Sequence, residues 1–235
     1  NELANGSISF YVTPNNTQKW WTAGIGGASS PYSPKGVTSL GSLVVHIDRV
    51  TGDLYTSGDK VSSVDFGSSQ AEALTCNIGL ECRGFSVAAI GAATFNSGDD
   101  PYMHSECTFT IGGSADSEIT SFSLSLNNNL ITDLWTGNSL VRREIPATSV
   151  TVTGSITRLF TDLTARALFL ANAQTSFKAS FARGANTFIL ECDKVNFEAH
   201  DYPLASFGSV IMETIPFTAQ VDDPASDNVL KLTVT

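Results

Sequence analysis

The sequence predicts a mainly β protein with one flanking helix. Three observations lead to this fold class: apolar and polar residues alternate along much of the chain, turn-forming residues separate the alternating stretches, and a single stretch has helical periodicity. The chain has 235 residues, of which 42% are hydrophobic and 15% charged. Because all-β domains often reach this length as one unit, we expect a single domain with a real core.

The second half carries the clearest strands. Their period of two is typical of half-buried strands, with one face in a core and the other facing solvent or a partner. Turn residues such as Arg183-Gly184-Ala185-Asn186 and Asp222-Asp223-Pro224 separate them. The predicted strands lie within 119–126, 149–157, 176–181, 187–193, 195–199, 211–217 and 230–234.

The first half is less regular. Leu43–Val50 and Tyr55–Phe66 are predicted as strands around the hairpin turn Thr51-Gly52-Asp53. Phe85–Phe95 and Cys107–Ile111 are two further predicted strands, and a polar loop separates them.

Helical character is convincing only over residues 162–171. There Leu163, Ala167 and Leu170 lie near one helix face, and Thr161 or Asp162 is suited to cap the helix. Ser69–Leu74 is a second, shorter candidate helix.

Residues 1–38 differ in composition from the rest, being rich in Gly and Pro with the adjacent pair Trp20 and Trp21. Gly and Pro oppose regular structure, whereas tryptophans supply large anchoring surfaces. We therefore predict an extended docking arm over 1–38 and a single β domain over 39–235 with an elaborated 67–116 region. Removing the arm should leave a folded core. The alternative is an N-terminal strand folded onto its own domain.

Charge and the distribution of apolar residues argue against nucleic-acid binding and against membrane insertion, respectively. A net charge of −10 and a pI near 4.6 mean that the chain should repel a phosphate backbone, which argues against ordinary nucleic-acid binding. No run approaches the roughly 18 apolar residues of a membrane span, so we expect no membrane insertion.

Catalytic motifs are missing from the sequence. There is no G-x-S-x-G elbow and no phosphate-binding P-loop, and His46, His104 and His200 are far apart. We therefore predict that the protein is not an enzyme and has no cofactor and no metal.

Four residues form a weak candidate zinc site, but the five residues between its first two cysteines exceed the usual spacing. A disulfide within this group and free, buried thiols are the alternatives, of which free thiols are favoured. The four residues are Cys76, Cys82, His104 and Cys107.

Residues 117–235 resemble the major tail tube proteins of long-tailed, siphovirus-type bacteriophages. The resemblance rests on the order and spacing of several elements rather than on one motif. These are Ile119–Leu130, Arg142–Pro146, Ser149–Phe160 with the helix directly after it, the strands Phe177–Phe181 and Thr187–Cys192, Val195–Glu198, and Ile215–Asp223.

This resemblance implies a fold and an assembly. The fold would be an antiparallel β-sandwich or partly closed barrel with one flanking α-helix, an N-terminal arm and long loops. Six copies would form a ring whose joined sheets enclose a bore, and stacked rings would form the tail tube of the virion, assembled in the host cytoplasm. The tape measure protein would occupy the bore first, terminator and tip proteins would close the ends, and double-stranded DNA would pass without specific binding.

An acidic bore would repel DNA phosphates and so prevent adhesion. From strand alternation, the candidate bore-lining acids are Glu191, Asp193 and Glu198, while Trp20 and Trp21 are candidate anchors between subunits. Glu191 and Asp193 share a strand face, which a glycosidase would also need for its paired carboxyls, but a solvated face is the simpler interpretation. The alternative functions are another virion β-protein, such as a capsid decoration or minor tail component, and a carbohydrate-binding module or hydrolase.

Overall fold

The computed structural model describes residues 5–14, 18–27, 29–34, 40–47, 54–87, 99–135, 137, 142–198, 210–221 and 228–235. It is mainly β, as predicted, with short helices. The strands are β1 (Asn5–Tyr11), β2 (His46–Ile47), β3 (Leu54–Ser57), β4 (Lys60–Ser69), β5 (Thr75–Glu81), β6 (Gly84–Val87), β7 (Cys107–Ile111), β8 (Ser114–Ala115), β9 (Ile119–Asn127), β10 (Thr151–Leu159), β11 (Thr175–Arg183), β12 (Asn186–Phe197), β13 (Met212–Ala219) and β14 (Lys231–Val234). The α-helices are α1 (Gln18–Gly24) and α2 (Thr164–Leu170), and one 3₁₀ turn spans His104–Glu106.

One large antiparallel sheet holds most of the strands. Its order is β1-β5-β4-β9-β10-β13-β12-β11-β7-β8, and β14 also pairs with β12. The first half of β12 pairs with β11 and β14, whereas its last three residues pair with β13. β12 therefore passes from one layer to the other, and the sheet folds over without closing into a barrel.

Aromatic side chains fill the space between the two layers. Phe66 on β4 meets Phe188 on β12 with ring centroids 5.9 Å apart, and Phe122 on β9 meets Phe177 on β11 at 6.3 Å. Phe217 lies directly over Gly154, where an added Cβ would sit 2.4 Å from the ring. These contacts define a first layer of β1, β5, β4, β9, β10 and β13, and a second layer of β14, β12, β11, β7 and β8.

Most of the predicted strands are present with nearly the predicted bounds. The two stretches predicted at 187–193 and 195–199 belong to the single strand β12. The sequence pattern divides this strand in two because the alternation of buried residues shifts by one residue where the strand changes layer. Tyr55–Phe66 is divided at Gly58 (φ 69°) into β3 of a small three-stranded sheet, order β2-β3-β6, and β4 of the large sheet. The predicted turns at 51–53 and 222–224, and residues 88–95, lie outside the described residues.

The helices differ from the prediction in three ways. Helix α2 begins at Thr164, whose backbone N–H donates to Asp162 Oδ1 at 2.8 Å. The candidate helix at Ser69–Leu74 is the end of β4 and a turn. Helix α1, which the Gly- and Pro-rich composition of its surroundings hides, was not predicted.

Residues 5–34 pack into the same fold wherever they are described. β1 pairs with β5, and Tyr32 exchanges backbone hydrogen bonds with Leu232 of β14. Val12, Trp21 and Ile25 are fully buried in the core. This packing corresponds to the alternative of an N-terminal strand on its own domain rather than to a detached arm. The domain boundary at residue 38 stays a prediction. Because of these contacts, we now expect that removal of residues 1–38 would damage the core.

No helix among the described residues is long and apolar enough to cross a membrane.

Candidate assembly surfaces

Strand β1 forms an open edge of the large sheet. It is a terminal strand in the sheet order, and within the described residues no strand pairs with its outer side. Val12 N–H donates to Leu74 O at 2.9 Å, in register with the β1–β5 pairing. By alternation, Ser7, Ser9 and Tyr11 therefore direct their backbone groups outward. Because Asn5–Tyr11 contains neither a charge nor a proline, nothing in its sequence opposes pairing with another strand.

The open edge continues into a broad surface on the outside of the first layer, which we call the polar face. Six strands contribute one residue each to its cross-strand rows. One row is Ser9, Asn77, Asp65, Ser125, Thr153 and Thr218, and the next is Tyr11, Thr75, Gly67, Ser123, Ser155 and Pro216.

Hydrogen bonds between neighbouring strands order the polar face. The Ser9 hydroxyl donates to Asn77 Oδ1 at 2.9 Å, and the hydroxyls of Ser123 and Ser155 share a hydrogen bond of 2.9 Å. Short hydroxyl side chains keep the surface even and leave lone pairs for water.

Negative charge dominates the polar face. Asp65 lies near its centre and accepts hydrogen bonds from Ser63 and Ser125. Neither row contains Lys or Arg. Lys60, at the margin of the polar face, donates a hydrogen bond from its ammonium group to the carbonyl oxygen of Leu40. Lys194 lies where β12 changes layer. The surface is therefore suited to contact with water and unsuited to holding a polyanion.

The three predicted bore-lining acids are separated by the fold. Glu198 follows β12 on the polar-face side, where the Thr218 hydroxyl donates to it. Glu191 lies on the outer face of the second layer, 3.2 Å from Lys231 and opposite Lys178 on β11. Asp193 accepts hydrogen bonds from the backbone and side chain of Asn228 at 2.8 and 3.1 Å. Only Glu198 therefore shares a surface with Asp65.

Asp65 was not among the predicted acids, although the sequence carried a signal for it. It stands between Val64 and Phe66, both buried, so its side chain must point away from the core. Which outer surface it reaches depends on strand pairing, which the sequence pattern does not contain.

The two predicted inter-subunit anchors have different positions. Trp21 is 0% exposed and packs on Phe66 and Phe188 with centroids 5.4 and 5.8 Å away, so it anchors α1 to its own chain. Trp20 is half-buried and stacks on Phe10 at 6.4 Å, beside the open edge. A contact between Trp20 and a neighbouring copy stays a prediction.

The candidate zinc residues do not converge. The described residues contain no group of three or more His, Cys, Asp or Glu side chains placed to hold a metal, and all four cysteines are free thiols. Burial raises the pKa of Cys82 to about 12, and it raises the pKa of Cys76, Cys107 and Cys192 further. These thiols are therefore protonated and poorly reactive near neutral pH.

The histidines have separate environments. His104 is buried, with Nδ1 3.1 Å from the Ser68 hydroxyl and Nε2 3.3 Å from the carbonyl of Ile119. His46 is exposed on β2 and lies 4.8 Å from the Tyr55 ring. His200 lies outside the described residues.

Comparison with known protein families gives evidence about the family of this chain that is independent of the geometry described above. Residues 1–219 match the family described as phage tail tube protein. A comparison with curated proteins found no match. The family match covers nearly the whole chain, including the first half, for which the sequence pattern alone gave little resemblance. The chain therefore belongs to the phage tail tube protein family, whose members are structural proteins of the virion tail.

Proposed function

We propose that this chain forms hexameric rings that stack into the tail tube and enclose a conduit for double-stranded DNA. The open edge of β1 is the observation that carries this proposal. An uncharged edge strand with outward-facing backbone groups is completed when a strand of the next copy pairs with it. If the strand of the next copy that pairs with β1 is not itself β1, the contact is head-to-tail and closes into a ring when the rotation between copies fits. The resemblance to long-tailed phage proteins supports six copies.

The polar face would line the bore. It runs directly from the joining edge across the first layer, so edge-to-edge pairing would continue it from copy to copy. Asp65 and Glu198 would give each ring repeated negative charge, and the hydroxyl rows would hold a water layer. Such a wall repels DNA phosphates at short range, and neither of its two cross-strand rows contains Lys or Arg. DNA would therefore move through the tube without binding to it.

The same arrangement accommodates the other expected partners. A tape measure protein would occupy the bore before DNA enters, and terminator and tip proteins would close the two ends. Membership in the tail tube family supports assembly with other tail components and a place in the virion tail. Assembly itself would take place in the host cytoplasm.

Electron microscopy of the concentrated, purified protein tests the proposal directly. We expect rings with a central hole in end view and hollow filaments in side view. A protein that stays monomeric at every concentration and salt condition, with no hole in projection, would overturn the proposal.

Replacing Ser9 with proline should prevent ring formation and leave the monomer folded. Proline removes the outward N–H of residue 9 together with the Ser9 hydroxyl, and edge strands accept it because the β1–β5 backbone bonds use the neighbouring residues. We expect monomer stability to change by about 1 kcal/mol or less, while assembly measured by sedimentation is lost. Ser9→Ala is the matched control, because it removes the same hydroxyl and keeps the N–H. If Ser9→Pro assembled like the wild type, β1 would not be the joining edge.

Thiol labelling tests which surface lines the bore. Thr153→Cys places a reactive thiol on the polar face, and the native cysteines give little background because burial raises the pKa of each. A maleimide on a bulky polymer should label Thr153→Cys in the monomer and be excluded from it in assembled tubes. Thr108→Cys, exposed on the second layer, is the control and should be labelled in both states. Full labelling of Thr153→Cys in tubes would place the polar face outside the bore.

A further inference from the structure

A buried carboxyl group lies where the small three-stranded sheet joins the large sheet. The chain passes between the two sheets at residues 58–59, from β3 to β4, and again at residues 82–83, from β5 to β6. These two connections touch, because an added Cβ at Gly58 would lie 3.2 Å from the Arg83 side chain. The thiol of Cys82 also forms a hydrogen bond with the carboxyl group of Asp59. Asp59 therefore lies at the junction that fixes the small sheet to the large one.

Asp59 is buried without a compensating charge. It is 0% exposed, and among the described residues no Lys or Arg forms an ion pair with it. Its carboxyl oxygen Oδ1 has no hydrogen-bond partner in the same part of the chain. An ionised carboxylate in such a position is unfavourable, since neither hydration nor a cation balances its charge. A neutral carboxylic acid avoids this penalty.

The hydrogen bonds around Asp59 fit the neutral acid. The buried Thr56 hydroxyl lies beside Asp59 Oδ2 and is also 3.1 Å from the carbonyl oxygen of Val45, but it has one proton and cannot donate to both. A protonated Asp59 donates to Thr56 Oγ1, and the hydroxyl then donates to the Val45 carbonyl. Thr56 Oγ1 has a second lone pair for the Val45 N–H, which lies 3.2 Å away. Each proton therefore has an acceptor when Asp59 is neutral.

This chain of hydrogen bonds joins the two sheets. Thr56 belongs to β3, and Val45 directly precedes β2 and pairs with Thr56 through the backbone at 2.9 Å. Asp59 directly precedes β4 of the large sheet. When Asp59 loses its proton, the Thr56 hydroxyl turns to the carboxylate, and its hydrogen bond to Val45 is lost. Ionisation therefore weakens the contact between the sheets and adds an uncompensated buried charge.

Proton binding by Asp59 is coupled to the stability of this junction. Loss of hydration on burial raises the pKa of Asp59, and this outweighs the opposing effect of hydrogen bonds from Thr56 and its neighbours. The folded subunit therefore keeps the proton at pH values where an exposed aspartate has lost it. The resulting stability is fully present below the ordinary pKa of aspartate and is lost as the pH rises through the pKa of Asp59 in the folded subunit.

The other charged groups near the junction have their own partners. Arg142 lies 2.9 Å from Glu81, and Arg83 donates to the carbonyl oxygen of Arg142 at 2.7 Å. Lys60 donates to a backbone carbonyl, and burial raises the pKa of Cys82 to about 12, so its thiol stays protonated. The titratable and charged groups on the surrounding elements are His46 on β2, Tyr55 on β3, Lys60 on β4, Glu81 and Cys82 at the end of β5, Arg83 before β6, and Arg142 and Glu144 in the β9–β10 connection.

We propose that Asp59 is a proton-dependent latch, whose protonated carboxyl group holds the small sheet on the large sheet and whose ionisation releases it. The latch makes opening of the β2-β3-β6 sheet depend on pH. This inference goes beyond the proposed function and does not depend on it, because it concerns a single subunit.

Hydrogen exchange of the full chain, measured below the assembly concentration, tests the latch. We expect lower protection factors for the amides of β3 and β6 than for those of β9 and β11, because the small sheet opens without unfolding of the large one. After correction for intrinsic exchange, protection of β3 and β6 should fall by up to about tenfold per pH unit from about pH 4 upward. The fall should level off above the pKa of Asp59 in the folded subunit. Equal protection in both sheets would overturn the proposal.

Asp59→Asn is the matched variant for this experiment. Its amide keeps the shape of the carboxyl group and a donor for Thr56, but it cannot ionise, so the ratio of wild-type to variant protection should carry the whole pH dependence of the latch. Because both proteins contain His46 and every other titratable group, their titrations cancel in this ratio. Asp133→Asn, which removes an exposed carboxylate, should keep the wild-type profile. Parallel profiles for wild type and Asp59→Asn would contradict the latch.

A titration of the wild-type protein gives a measurement that needs no variant. The ¹³C resonance of the Asp59 carboxyl group should titrate with a midpoint above the ordinary value for aspartate, about 3.9. The loss of protection in β3 and β6 should follow the same midpoint. A midpoint at or below the ordinary value would overturn the proposal, whether or not the Asp59→Asn variant folds.

Discussion

Replacing Trp21 with alanine is expected to destabilise the subunit by about 4 kcal/mol, because truncating a fully buried tryptophan removes transfer energy and leaves a cavity. The Trp21 ring is 0% exposed and contacts Phe66, Phe188 and Phe10. For a chain of this length the midpoint of thermal unfolding should fall by roughly 10 °C. Calorimetry or denaturant unfolding of the monomer measures this change.

Tyr11→Ala is the matched control for this substitution. Tyr11 is 60% exposed on the outer face of β1, so its truncation should change monomer stability by less than about 1 kcal/mol. Deletion of residues 1–38 should have a larger effect than Trp21→Ala, because it also removes Val12, Ile25 and Tyr32 from the core. Cooperative unfolding of the truncated chain at the wild-type midpoint would instead support the independent arm that the sequence predicts.

Replacing Arg158 with leucine should destabilise the subunit by about 3–5 kcal/mol, since it leaves buried carboxylates without their cation. Arg158 is buried on β10 and lies 2.7 Å from Asp116, 3.1 Å from Asp162 and 3.2 Å from the buried Glu213 on β13. These contacts tie β13 and the start of α2 to the centre of the sheet. Urea unfolding of the monomer provides the measurement.

The double substitution Arg158→Leu/Glu213→Leu separates charge burial from loss of packing. Replacing a buried ion pair with apolar side chains of similar size is often close to neutral, so the double variant should be more stable than Arg158→Leu alone. A double variant as unstable as the single variant would show that packing of the Arg158 side chain, and not charge compensation, stabilises this region. Asp162 also stabilises the start of α2, because its carboxylate accepts a hydrogen bond from the backbone N–H of Thr164. This hydrogen bond and the Arg158 guanidinium both lower the pKa of Asp162.

The second half of the fold was largely predictable. In β9, β10 and β11 the inward residues are apolar, with the exceptions of Arg158 and Thr175, and most outward residues are Ser or Thr, so the sequence pattern and the burial pattern largely coincide. Helix α1 was not predictable, because a seven-residue helix has little stability of its own and is held by the packing of Trp21 between the layers. Its Gly- and Pro-rich surroundings obscured it.

The candidate surfaces were predictable only in part. Alternation placed Glu191 outside the core correctly, but it could not show that β12 changes layer after this residue and carries Glu198 to the opposite surface. Leu163 and Leu170 were correctly grouped on one helix face. Their exposure followed from the orientation of α2, which buries Ala165 instead.

The sequence by itself determined the β class, most strand positions in the second half, the acidic charge and the resemblance to tail tube proteins. The first three follow from composition or from short-range periodicity, which the order of residues records directly, whereas the resemblance rests on the series of elements between Ile119 and Asp223. Only the tertiary structure decided that the described parts of residues 5–34 pack on the core, that β1 ends the sheet with an open edge among the described strands, and that Asp65 lies on the polar face. These features depend on which distant strands pair, and pairing is set by the joint burial of side chains far apart in sequence.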